Sequence, residues 1–157
     1  MSDDAEQEDL KDQFSRIIEE ARMMLPGIQA LFGFQTIAVF NDRFEKLPMY
    51  AQDFHAAALA LVVIAIALVM LPAAYHRIAE PKEISLHTIK ISSRAITYAL
   101  APLAAALSLD IVVVLYLVTG SDQISAIGGI AAFALLISMW FIYPLKSRRN
   151  RRHGAPH

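Results

Sequence analysis

Asp110 stands alone as a charged side chain in the run from Ala95 to Val118, within Leu107-Ser108-Leu109-Asp110-Ile111-Val112-Val113. An acid in hydrocarbon costs about 2.5–3.5 kcal/mol on insertion scales, so such a group is expected to face other helices, find a partner or take up a proton. Counted back from Thr119 to Asp110, nine residues of helix place it about 13 Å below the nearer membrane surface at 1.5 Å per residue. His55 and Arg43 fall at comparable or shallower depth on the same side. The spacing therefore predicts an ion or proton site of Asp110, His55 and Arg43, with Gln35 and Thr36 as neutral members. The competing reading gives Asp110 a purely structural role, bonded to neighbouring hydroxyls or paired with Arg43 as an assembly lock.

Other chemistry is harder to build from this chain. It has no cysteine, which removes disulfides, thiolate metal sites and thiol nucleophiles together. Metalloprotease spacing (His-Glu-x-x-His), a paired intramembrane aspartate and a serine–histidine couple are all missing from the sequence. A bis-histidine haem needs two histidines at one depth on different helices, whereas His55 and His76 sit towards opposite ends of one apolar stretch and His87 lies in a polar connection. No catalytic residue, metal or cofactor is expected, and the chain does not read as an enzyme. Tyr75, His76 and Arg77 read as an interfacial or lipid-headgroup belt. The basic run from Lys146 to Arg152 is read as a topological anchor and an anionic-lipid contact, not a nucleic-acid patch.

The elements that must position these groups are four nearly uncharged stretches, each able to supply the roughly 20 apolar residues that cross a bilayer. The expected fold is an all-α integral membrane protein with four transmembrane helices preceded by an amphipathic N-terminal helix. Its parts are an acidic cytoplasmic helix over 1–24, a transmembrane domain over 25–145 with spans near 25–41, 53–75, 95–118 and 124–144, and a basic cytoplasmic tail over 146–157. Of the 14 basic residues, only Arg43 and Lys46 would face outward, leaving the other twelve inside. That bias predicts both termini in the cytoplasm. Aromatics mark the same borders: Phe40, Phe44, Tyr50 and Phe54 around the outer loop, and Trp140, Phe141 and Tyr143 at the last span's end. The net charge of −1 conceals segregation, with Asp3, Asp4, Glu6, Glu8, Asp9 and Asp12 at the start and five cations at the end.

Before the first span, Leu10, Phe14, Ile17, Ile18, Ala21 and Leu25 recur at helical spacing, opposite an acidic face. A net-acidic face gains nothing from anionic lipid, so this helix is expected to pack on the protein's own inner surface, a second copy or a partner protein. Pro26 and Gly27 predict a turn or kink at bilayer entry. Small and polar stripes predict contacts: Gln29, Gly33 and Thr36 on the first span, Ala101, Ala105 and Ser108 with Ala104 on the third, and Ser125, Gly129 and Ala132 with Gly128 on the fourth. The second span has no hydrogen-bonding side chain from Ala56 to Met70 and is read as the most lipid-exposed or most plainly packed. Thr119 to Gln123 allows only a tight hairpin, so the last two spans must be antiparallel neighbours.

With the spans placed, the chain resembles a bacterial family of small four-span membrane proteins of unknown function. The residues that carry the resemblance are Leu25-Pro26-Gly27-Ile28-Gln29-Ala30-Leu31-Phe32-Gly33-Phe34, Phe40-Asn41-Asp42-Arg43-Phe44, Pro72-Ala73-Ala74-Tyr75-His76-Arg77 and the more generic Trp140-Phe141-Ile142-Tyr143-Pro144-Leu145, over about Leu10 to Arg152. Some members carry an automatic sodium:proton antiporter label, so the resemblance implies transport; Asp110 lies outside its motifs. Two functions follow as expectations. The first is a small ion- or proton-coupled transporter or channel in the bacterial inner (plasma) membrane, homo-oligomeric because four short helices enclose little space. The second is a non-catalytic accessory or scaffold protein that binds a partner through its cytoplasmic face.

Overall fold

The computed structural model describes the backbone of residues 2–153 and the side chains of residues 7–150. The side chains of Asp3, Asp4, Glu6, Arg151 and Arg152, counted above in the charged tails, lie outside the described residues. The order is α1 (Ser2–Ala38), α2 (Met49–Ala79), α3 (Leu86–Thr119), α4 (Asp122–Ile137), a π-helical turn (Ser138–Ile142) and α5 (Tyr143–His153), with no strand among the described residues. The chain divides into two compact units, residues 1–40 with 59–103 and residues 41–58 with 104–157.

Buried positions explain why the helices are so long. On α1, Phe14, Ala21, Ile28 and Gln35 are buried and share a strict seven-residue step; Leu10 is buried three residues after the half-buried Gln7, which begins the series. On α2, Ala51, His55, Ala58, Val62, Ala65, Val69 and Pro72 are buried at alternating steps of four and three. On α3, Thr88, Ser92, Ala95, Ala99, Ala106 and Val113 follow the same rhythm, and Ile96, Leu103, Ala104 and Ser108 bury a second face. A seven-residue repeat keeps one face of a helix on its neighbours over its whole length, the geometry of left-handed coiled coils.

Three helices are long and apolar enough to cross a membrane: Met49–Ala79, Leu86–Thr119 and the Asp122–Asn150 run. The expectation of four crossings after a separate amphipathic helix is therefore corrected. Both segments form one continuous helix, α1, which passes through Pro26 and Gly27 without the predicted turn. A proline inside a helix removes one hydrogen bond and crowds the carbonyl four residues back; the seam continues on both sides of it, at Ala21 and Ile28, and packing prevails. Between Arg22 and the helix end at Ala38 lie only residues 23–38, about 24 Å of helix, diluted by Pro26, Gln29, Gln35 and Thr36.

The contact face expected on the first span is corrected as well, because Gln29 and Thr36 are exposed and a Cβ at Gly33 would meet nothing within 4 Å. Nor is the second span the lipid-exposed one. Only 11% of the apolar window within the Asp122–Asn150 run is buried, against 28% of the corresponding windows within α2 and α3.

In the first unit, Leu10 and Phe14 of α1 are buried with Ile84, flanked by Ile18 and Ile89, so the N-terminal half of α1 packs on the connection between α2 and α3. That connection is an ordered cap. The Glu80 carboxylate accepts the Ser85 backbone N–H at 3.0 Å, the Ser85 hydroxyl at 2.9 Å and the Thr88 hydroxyl at 2.6 Å, and the Ser85 hydroxyl accepts the Thr88 N–H at 3.2 Å. These donors, Thr88 first and then Ser85, hold the Glu80 carboxyl below the ordinary glutamate range.

In the second unit, α3 turns into α4 at Gly120, whose φ of 65° is the left-handed conformation glycine tolerates and whose N–H closes on the Tyr116 carbonyl at 2.8 Å. Ser121 caps α4 by accepting the Ile124 N–H. Gly129 then meets α3 so closely that a Cβ would strike Val112 and stand 3.1 Å from the Ser108 carbonyl oxygen, whereas a Cβ on Gly128 would strike chiefly the tip of Leu115. The π-helical turn precedes Pro144, which supplies no N–H to the carbonyl of Trp140, and Tyr143 bonds back to Ser138 instead.

Gly129→Ala is expected to destabilise the detergent-solubilised protein by about 1–3 kcal/mol, because backbone must move. Gly128→Ala should cost visibly less, because a leucine tip can rotate away; thermal melts of both variants check the order. For Glu80, whose folded pKa lies below its unfolded one, the stabilisation is complete above the ordinary glutamate pKa of about 4.3 and is lost as pH falls through the folded value. Glu80→Gln should flatten that acid limb of the melting-temperature profile.

Candidate functional site

His55 takes its place in the α2 seam between Ala51 and Ala58, so the spacing that buries small residues also buries an imidazole, at 5% exposure. A buried polar ring needs a partner. Asp110 of α3 supplies a carboxylate, with Oδ1 3.8 Å from Nδ1 of His55 and its side chain 18% exposed. At that distance the two groups face one another beyond the range of a direct hydrogen bond. The Phe44 ring lies edge-on over His55 at a centroid distance of 5.1 Å. Phe44 itself packs on the buried cluster of Leu47, Ala51 and Val113, beside Tyr116. The turn from Asn41 to Leu47 thus covers the imidazole with an aromatic ring.

Among the described residues no group of three or more histidine, aspartate or glutamate side chains is gathered to hold a metal ion.

The remaining sequence-predicted members are distributed as follows. Arg43 is exposed, and its backbone N–H donates to the Asn41 side-chain oxygen at 2.9 Å in the turn. Gln35 and Thr36 belong to the first unit, where Gln35 is buried at a seam position and Thr36 is exposed, its hydroxyl donating to the Phe32 carbonyl at 2.8 Å. Of the belt residues, Arg77 is exposed, Tyr75 faces His87 at 6.5 Å between rings, and His76 turns inward onto Phe14 at 4.9 Å.

A second polar contact of this unit has no sequence signal at all. The Tyr50 hydroxyl donates to the Asp122 carboxylate, joining the first turn of α2 to that of α4 across 72 residues. Tyr50 also meets Phe54 and Tyr116 edge-on, at 5.8 and 6.0 Å. Sequence reasoning saw Tyr50 as an interfacial aromatic and Asp122 as hairpin, and only the pairing of helix ends makes them partners.

Residues 3–144 match the model of a family of unknown function, DUF6328. The chain belongs to that family. No curated protein and no solved structure matches it. The family match covers the heptad-spaced helices together with His55, Asp110, Tyr50 and Asp122.

Tyr50→Phe should lower the melting temperature in detergent, with Asp122→Asn smaller in effect because an amide oxygen still accepts the phenol. The reverse order would mean that Asp122 matters to the fold for a reason other than this bond.

Proposed function

We propose that this member of the family is an integral membrane protein of the bacterial plasma membrane that moves protons or small cations, as a homo-oligomer, with the His55–Asp110 couple as its ion-binding group. The observation that carries the reading is the couple itself: an acid and an imidazole 3.8 Å apart on two helices apolar enough to cross a membrane. Intramembrane acids are costly, and where they persist next to an ionisable partner they commonly serve proton relay or ion pathways. Arg43 in the covering turn, with Gln35 and Thr36, remains part of the proposed path. The reading is of a non-catalytic protein without cofactor or metal, in contact with lipids and not nucleic acid.

The cytoplasmic side in this proposal is the one with the Arg77, Lys82, Lys90 and Arg94 connection, by the positive-inside bias. The N-terminal half of α1, packed on that connection, and the basic C-terminal end would lie on the same side. Oligomerisation is supported by α4, whose apolar face is left mostly uncovered by the chain itself. The scaffold alternative is less well supported, since the apolar face it would offer a partner, at Leu10 and Phe14, is buried against Ile84 of the same chain.

The test is flux in proteoliposomes loaded with a pH-sensitive dye, driven by a sodium or potassium gradient. Asp110→Asn should reduce proton-coupled flux at least tenfold while the variant elutes from size exclusion as the wild type does. Unchanged flux in a correctly assembled Asp110→Asn protein discards the proposal.

A further inference from the structure

The second unit also holds a groove of about 640 Å³ that neither the family match nor the ion-site proposal accounts for. It runs along α4 from Asp122 to Phe133, about 16 Å at 1.5 Å per residue. Leu109, Val112, Ile130 and Phe133 give it an apolar body, and Tyr50 and Asp122 stand at its helix-start end. The hydroxyls that reach it are already committed: Ser108 donates to the Ala104 carbonyl and Ser125 to the Ser121 carbonyl, each at 2.7 Å. Among the described residues its one formal charge is therefore the Asp122 carboxylate, and no lysine, arginine or histidine lines it.

We propose that this groove binds amphiphilic cations, its apolar body taking an alkyl or aryl tail and Asp122 the cationic head. The helix N-terminus favours a negative charge at Asp122, and the Tyr50 hydroxyl orients the carboxylate. The Tyr50 and Phe54 rings, edge to face at 5.8 Å, stand beside it with π-faces that attract quaternary ammonium groups. A tail that brings hydrogen-bond acceptors finds no uncommitted hydroxyl donor in the body, because Ser108 and Ser125 both donate to backbone carbonyls. A phospholipid with an amine headgroup brings a phosphate that would meet Asp122 without any basic residue to receive it. The occupant is thus a singly charged organic cation of small-molecule size, within the range of 300–1,000 Å³ that such sites span.

The experiment is equilibrium binding of radiolabelled dodecyltrimethylammonium to the full chain in nanodiscs, corrected for empty discs, with dodecyl sulfate as the anionic counterpart. Saturable binding to the wild type is expected, at least tenfold weaker in Asp122→Asn and in Ala126→Trp, where an exposed lining position one turn from the carboxylate is filled and the charge is kept. Dodecyl sulfate should compete at least tenfold less well. Wild-type affinity in folded Asp122→Asn, or equal competition by dodecyl sulfate, overturns the assignment. So does phosphatidylethanolamine that co-purifies with the wild type and is lost in Ala126→Trp, which would make the groove a lipid site. Asp110→Asn should leave this binding unchanged, which separates the outcome from that of the flux test.

Discussion

In lipid, one apolar side chain has little to gain by leaving the solvent for another, so helices are held by the closeness of their backbones and by bonds between polar groups. The whole arrangement here depends on that closeness. Ala51, Ala58 and Ala65 on α2 and Ala95, Ala99 and Ala106 on α3 are buried, and at Gly129 on α4 the Val112 side chain and the Ser108 carbonyl fill the space a Cβ would take. Because these residues recur at steps of three and four, each helix keeps the same face inward for its full length, and α1 stays one helix through a proline.

The polar chemistry follows from the same spacing. His55 and Gln35 each occupy a buried seam position whose fellow buried members are all apolar, alanine, valine and proline on α2 and phenylalanine, alanine and isoleucine on α1. A polar residue at such a position is costly unless it is satisfied, and once satisfied it sets register, since sliding by a turn strands it in an apolar layer. For His55 the polar neighbour is Asp110, 3.8 Å away on α3. The couple thus fixes the register of α2 against α3 in the same geometry that the proposed ion site requires.

At the helix ends a different rule operates, because backbone groups there lack partners within their own helix. Glu80, Ser85 and Thr88 close the start of α3, and Ser121 closes the start of α4. Asp122, one residue further on, is free of a capping duty and bonds Tyr50 instead. Its carboxylate thereby faces the apolar groove, separate in residues and in chemistry from the buried couple.

The apolar stretches, the tight Thr119–Gln123 hairpin, the acidic start and the basic end are all written in composition and spacing, because hydropathy and helical period are local quantities that a chain carries wherever it folds. Depth is nearly as legible: counting residues from a helix end put Asp110 and His55 towards the same side. Rotation about the helix axis is not, and it decided the rest. Whether a small-residue stripe is the inward one depends on which neighbour arrives, so Gln29 and Thr36 proved exposed and Gly33 only half-buried while Ala21, Ile28 and Gln35 were buried. The continuity of α1, the choice of α4 as the uncovered helix and the meeting of Tyr50 with Asp122 across 72 residues belong to tertiary structure alone, because each is fixed by packing between segments that carry no mark of one another.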